Sequence, residues 1–220
     1  MLQHPLFQHP LLQHPISKAA LLLAGFAFIG AVSLAAINAL TQPKIAQNER
    51  LATLTRLNAL VAPARYDNDP VSDQIQLNAA DFGSSEAVTV YRARKQQQPV
   101  AAIFQVTAPD GYSGNIRLLV GVNSDQSLAG VRVIAHKETP GLGDKIEIEK
   151  SDWITQFAGK SLTNPSESQW AVKKDGGEFD QFSGATITPR AVVNQSKRVL
   201  VWAQSHLNEA FNAPIQEQTP

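Results

Sequence analysis

The sequence predicts an α+β protein: an N-terminal transmembrane helix followed by a domain with an antiparallel sheet and flanking helices. Three observations predict it. No charged side chain falls between Lys18 and Lys44. Four runs of alternating apolar and polar residues then follow one another with connections too short for parallel pairing. Near the end, Thr188 and Pro189 open a stretch with helical apolar spacing.

The apolar part of the uncharged stretch covers 19–40. At 1.5 Å per residue it reaches about 33 Å, matching a hydrocarbon core of about 30 Å. A buried helix of a soluble domain is rarely this long without a polar stripe. A cleaved signal peptide is the alternative, with Ser33 and Ala35 as a small-x-small site. The stretch exceeds the usual signal core of about 7–15 residues, which favours a span. Lys18 precedes it and Lys44, Arg50 and Arg56 follow it. That count does not favour an inside N-terminus, and long domains translocate largely regardless of charge, so the charges leave orientation open.

Before the span, Gln-His-Pro recurs at 3–5, 8–10 and 13–15. Prolines at this spacing block a helix, and 1–18 is read as a low-complexity tail. Metal binding by His4, His9 and His14 is the alternative. After the span, 41–62 reads as a helix carrying Ile45, Leu51, Leu54, Leu57, Leu60 and Val61, ended by Pro63. The segment 64–86 is rich in Asp, Asn and Ser and reads as a loop, so 41–86 is taken as a helix and loop linker.

The sheet is expected from runs 87–95, 99–107, 115–122 and 128–136, as a meander with one face on a core. The turn from His136 to Lys145 holds Pro140, Gly141 and Gly143 and should expose its backbone. A short helix is expected over 146–158, a short buried strand at 170–172 and a turn at 175–177. Trp153 and Trp170 are assigned to the core. The last helix, capped by Thr188, should bury Val192, Val199, Ala203 and Leu207. The domain is bounded at 87–209, with 210–220 as a tail.

Composition excludes several functions. The 19 basic and 19 acidic side chains cancel, so no basic surface points to nucleic acid. With no cysteine there are no disulfides, thiolate-held iron–sulfur clusters or cysteine nucleophiles. The five histidines are scattered, which argues against a multi-histidine metal site.

The chemistry is concentrated in 180–190. Gly184 and Ala185 allow a ligand close to the backbone, and Ser183, Thr186 and Thr188 supply hydroxyls. The free N–H groups and dipole of the following helix favour a phosphate. Lys173, Lys174 and Arg190 are candidate cations. On these grounds alone the segment is a possible anion site or simply a turn that caps a helix.

The pattern Asp180-x-x-Ser183-Gly184-Ala185-Thr186 resembles the flavinylation motif of the FMN-binding domain family. That family includes the G subunit of the Rnf/Rsx ion-translocating electron transport complex and the related C subunit of the sodium-pumping NADH:quinone reductase. Segments 108–114, 138–145, 152–154 and 172–177 also resemble the Rnf/Rsx G subunit, in the same order, as does the single span. The resemblance covers roughly 17–206; the histidine–proline tail departs from it.

The resemblance implies FMN joined to Thr186 through a phosphoester, installed by a flavin transferase with FAD as donor. It implies an electron-transfer subunit of a membrane-bound ion-translocating redox complex, without stand-alone catalysis. Its setting would be the bacterial inner membrane, single-pass, with the soluble domain in the periplasm. Its partners would be the other Rnf/Rsx subunits, the transferase and membrane lipid. Within that reading Ser183, Gly184, Ala185, Thr188 and Lys173 join Thr186 in the cofactor site. The turn Glu138, Thr139, Gly141, Leu142 and Gly143 supplies backbone N–H groups and an apolar surface for the flavin. A membrane-anchored binding or scaffold module without a redox cofactor is the competing reading.

Overall fold

A computed structural model of the chain describes residues 15–84 and 86–215. His4, His9 and His14 lie outside them. The chain divides into two units, one ending at Leu51 and the other beginning at Ala52.

The first unit is occupied by helix α1, Pro15–Asn58, which continues into the second. Its large apolar side chains through Leu40, among them Leu23, Phe26, Phe28 and Leu34, are exposed on every side. A soluble domain does not leave such a helix uncovered. Among the described residues it is the one helix long and apolar enough to cross a membrane. Pro43 sits inside α1 without ending it. Two residues before the proline, the Thr41 hydroxyl donates to the Ile37 carbonyl at 2.9 Å, giving the helix a local side-chain bond.

The second unit is built on a five-stranded antiparallel meander: β1 Gln74–Leu77, β2 Val88–Lys95, β3 Gln98–Gly111, β4 Gly114–Asn123 and β5 Leu128–Ala135, in that spatial order. Helix α2, Ile187–Asn212, packs over β3 and β4. The α+β architecture is the one the sequence predicts.

Alternation along the strands sorts the side chains. Phe104 and Val106 of β3 join Leu118 and Val120 of β4 beneath Val192, Val199 and Ala203 of α2 in the main core. Burying a Val, Leu or Phe completely contributes about 1.5–3 kcal/mol, so this face dominates the domain's stability.

Several expectations are corrected. The sheet has a core on both faces. Tyr91, Ala93, Ala101, Ile103 and Leu119 face the other way and pack with Leu57, Leu60 and Val61. These strand positions are apolar too, so neither face could be left to water. Helix α1 accordingly ends at Asn58, ahead of Pro63, which begins a 3₁₀ turn, Pro63–Arg65. The chain turns after Asn58 to bury Leu60 and Val61 on the sheet.

The segment 64–86, expected as a loop, supplies β1. Its four residues are too short to show a period, but Ile75 pairs with Val90 and is buried. The helix expected over 146–158 is a pair of 3₁₀ turns, Asp144–Ile146 and Asp152–Phe157. Residues 170–172 form no strand; Val172 makes a single parallel bridge to Phe179. Trp170 is buried, whereas Trp153 is only half-buried.

Candidate functional site

Three segments of the second unit meet around a cavity of about 340 Å³. The β3–β4 hairpin tip contributes Tyr112. The turn after β5 contributes Glu138, Thr139, Leu142 and Gly143. The turn into α2 contributes Gly184, Ala185, Thr186, Ile187 and Thr188.

The last segment is shaped by its neighbours. Phe182 is buried against Trp153, edge to face at 5.2 Å, and the Trp153 indole N–H donates to the Asp180 carbonyl at 2.8 Å. Gly184 then turns the chain with φ +80°, a conformation that costs a glycine nothing, and the Ala185 N–H closes the turn on the Phe182 carbonyl at 3.1 Å. Thr186 emerges at the start of α2.

Thr186, and not Thr188, is the N-cap. Thr188 lies in the first turn, buried, and its hydroxyl donates to the Glu138 carboxylate. It could not cap from there, because the buried carboxylate captures the hydroxyl. Thr186 has helical backbone angles and its side chain makes no capping bond. Its hydroxyl therefore remains available. Pro189 has no N–H, and the N–H groups of Ile187 and Thr188 have no partner within the chain among the described residues. This helix end is open to an anion.

Glu138 is buried, with Oε1 accepting from the Ser113 N–H at 2.9 Å and Oε2 from the Tyr112 N–H at 3.3 Å. Its own N–H donates to His136 Nδ1 at 3.0 Å. The imidazole Nε2 faces the Glu147 carboxylate at 2.5 Å. His136 is thereby held as a structural bridge.

In the turn itself, Gly141 has φ +79°, and the N–H groups of Leu142 and Gly143 both donate to the Thr139 carbonyl, at 3.1 and 3.0 Å. Of the backbone donors expected for a ligand, those of Glu138, Leu142 and Gly143 are thus spent inside the protein. Those of Thr139 and Gly141 have no partner within the chain among the described residues.

Of the residues singled out from the sequence, Ser183, Gly141 and Lys173 do not line the cavity. Lys173 is paired with Asp180 at 2.6 Å, whose hydrogen bond and charge hold the ammonium above its ordinary value. Arg190 makes a two-point pair with Asp175, at 2.6 and 2.9 Å. That hydrogen bond holds the Asp175 carboxyl below its ordinary range and raises the guanidinium. Lys173 and Arg190, two of the three candidate cations, are therefore engaged by carboxylates that sequence order alone did not assign to them.

Sequence reasoning missed Tyr112 and Ile187 as lining residues. Both are large and exposed, as is Leu142, so the mouth of the cavity is rimmed by apolar surface. A large aromatic at the tip of a tight hairpin was the available signal for Tyr112.

Comparison with known proteins bears on this geometry. Residues 111–201 match the family model of the FMN-binding domain, and residues 5–60 match that of the RnfG N-terminal region. A protein of Shewanella amazonensis is 44% identical over 196 residues, covering 89% of this chain and 91% of its own. One of Photorhabdus laumondii is 50% identical and one of Escherichia coli K12 is 48% identical, each over 183 residues, covering 83% of this chain and 88% of theirs. All three are named as the G subunit of an ion-translocating oxidoreductase complex. With an exposed apolar helix ahead of an FMN-binding domain whose cavity opens at a helix N-terminus, the chain belongs to the family of G subunits of ion-translocating oxidoreductase complexes.

Proposed function

We propose that the chain is the electron-transfer subunit of a membrane-bound ion-translocating oxidoreductase complex and carries FMN on Thr186 through a phosphoester. The observation that carries this is the Thr186 side chain: it lines the cavity, starts α2 and is not used to cap it.

The residues fit the group. A volume of about 340 Å³ lies within the usual range for small-molecule sites, about 300–1,000 Å³. The open N–H groups of Ile187 and Thr188 and the positive end of the α2 dipole suit a phosphate. Leu142, Tyr112 and Ile187 offer apolar surface to a flat ring, and the N–H group of Thr139 offers a donor at its edge. FMN, when bound, supplies the electron-accepting and electron-donating chemistry. The protein holds it in place and sets its surroundings.

Attachment exchanges one bond for another. The Thr186 oxygen takes the FMN phosphoryl group from FAD, the bond to AMP breaks, AMP leaves, and the hydroxyl gives up its proton. A threonine hydroxyl needs activation for such a step, and no base lies in hydrogen-bond contact with Thr186 among the described residues. The activating groups are assigned to the flavin transferase, with Thr186 as its substrate. Ser183 and Gly184 are exposed, which gives the transferase access. Lys173 and Asp180 form its flanking ion pair. A tethered flavin cannot diffuse away, so attachment replaces binding by a high local concentration.

The anchoring follows the same reading. Residues 19–40 sit in lipid in a single pass, and the FMN-binding domain follows, with β1 joining its sheet from the segment 41–86 and α2 packed on it as far as Phe211. The domain faces the periplasm from a bacterial inner membrane, beside the other members of the complex.

Two experiments test these assignments. The chain has no cysteine, so a single Lys150→Cys substitution on the exposed domain surface creates one labelling site. Labelling of intact spheroplasts by a membrane-impermeant maleimide supports the periplasmic side; labelling only after lysis contradicts it. Reversible bleaching and recovery of the flavin spectrum in the purified complex supports electron transfer. A bound flavin that never changes redox state during turnover contradicts it.

A further inference from the structure

We infer that Glu138 is a positioning residue, a clasp that holds the three walls of the cavity in register, and not an FMN ligand. This rests on the FMN reading of the cavity. Both carboxylate oxygens are engaged within the protein. Oε1 accepts from Ser113 N at 2.9 Å, and Oε2 accepts from Tyr112 N at 3.3 Å and from the Thr188 hydroxyl. Those donors come from two of the walls, the β3–β4 hairpin and the first turn of α2, while Glu138 itself belongs to the third.

The surrounding backbone is cut to fit it. A Cβ on Gly111 would collide first with the Gly114 carbonyl of its own hairpin at 2.1 Å and would also lie 3.0 Å from Oε1. One on Gly143 would lie 2.9 Å from both the Glu138 Cβ and the Thr188 Oγ1, and 3.2 Å from Oε2. Glycine at these positions lets two chain segments close on a buried carboxylate. An ionised carboxylate accepts only, so it can satisfy converging donors that no other side chain of that size can. Thr188 lies two residues beyond Thr186 on the same turn of α2. Fixing the Thr188 hydroxyl therefore fixes the position of the Thr186 oxygen relative to Leu142 and Tyr112.

The test uses full-length chain in membranes, coexpressed with a flavin transferase, as wild type, Glu138→Gln, Glu138→Ala and Thr188→Val. A glutamine turns its amide NH₂ against one of the converging donors, while a valine keeps the shape of threonine and removes its donor. Three quantities are read: the initial rate of covalent flavin attachment, the visible circular dichroism of the attached flavin, and the melting temperature. Attachment in Glu138→Gln and Thr188→Val is expected to slow about tenfold and still reach completion, since displacements near 1 Å are enough to cost such factors. The flavin dichroism is expected to weaken in both. The double variant should be no slower than Glu138→Gln alone, because both break one clasp.

A lower melting temperature with unchanged rate and dichroism in both variants would overturn the inference, leaving Glu138 a plain structural residue. So would complete loss of attachment in folded Glu138→Gln beside a normal Thr188→Val, which would make Glu138 a direct participant. If Glu138→Ala fails to fold, the other two variants decide. A wild-type chain that takes up no FMN, with the transferase active on another substrate, would sink the reading of the cavity and this inference with it.

Discussion

The two ends of α2 are finished in opposite ways. At its C-terminal end Arg92, itself buried, reaches from β2 to the carbonyls of Ala210 at 2.9 Å and Ala213 at 2.6 Å. Arg94 donates to the Phe211 carbonyl at 2.5 Å, and both arginines are pinned by Asp73. The carbonyls that a helix leaves orphaned are thus satisfied from the sheet, on the side where the dipole favours cations. At the N-terminal end, among the described residues, no side chain caps the helix, the Ile187 and Thr188 N–H groups have no partner, and the Thr186 hydroxyl makes no capping bond. The end sealed by two arginines contrasts with the one to which the proposal assigns a ligand.

Substitutions at the two ends should separate along that line. The largest effect is expected from Thr186→Ala: covalent flavin is lost entirely, as read by in-gel fluorescence, while stability moves by no more than about 0.5 kcal/mol, as for a side chain without partners. Thr188→Ala should not abolish attachment. At the closed end, Arg92→Met should cost about 3 kcal/mol in denaturant unfolding, because it removes one of the two arginines paired with Asp73 and leaves the carbonyls at the end of α2 without their buried donor. The folded fraction should still acquire flavin. A closed-end variant that loses flavin and keeps its stability would break the contrast.

Gly143→Ala comes next, since its Cβ must displace Glu138 or Thr188; overpacking of this kind costs about 1–3 kcal/mol and should show in thermal unfolding. The smallest effect concerns Arg190 and Asp175, an exposed pair. The folded-state value of Asp175 is depressed by the Arg190 hydrogen bond. Its contribution to stability is therefore present above its ordinary value of 3.8 and is lost as pH falls through the lower folded value. Melting curves of wild type and Arg190→Gln should differ slightly at neutral pH and converge in acid.

Much of this molecule could be read from its sequence, and the misses have physical causes. Strands β2 to β5 were legible because each is a run of eight or more residues bounded by turn-forming segments. Strand β1 was not, since four residues among Asp, Asn and Ser carry no period and depend on pairing with β2. The second core was overlooked although Tyr91, Ile103 and Leu119 announced it, because alternation is usually taken to mean one wet face. At the site, the small-residue turn and the helix start were visible as local pattern. The capture of Thr188 by Glu138, 50 positions earlier, was not, and it moved the cap to Thr186. The pairing of Lys173 and Arg190 with carboxylates is likewise a product of folding, so their charges had seemed free for a phosphate.

The central claim is that the open end of α2 carries FMN on Thr186. The most direct test is the intact mass of the wild-type chain under denaturing conditions, after coexpression with a flavin transferase and export, followed by peptide mapping. The expected result is a gain equal to FMN minus water, located on the peptide that contains Thr186. An unmodified chain, with the transferase active on another substrate, or a flavin mapped to a different residue, would contradict it.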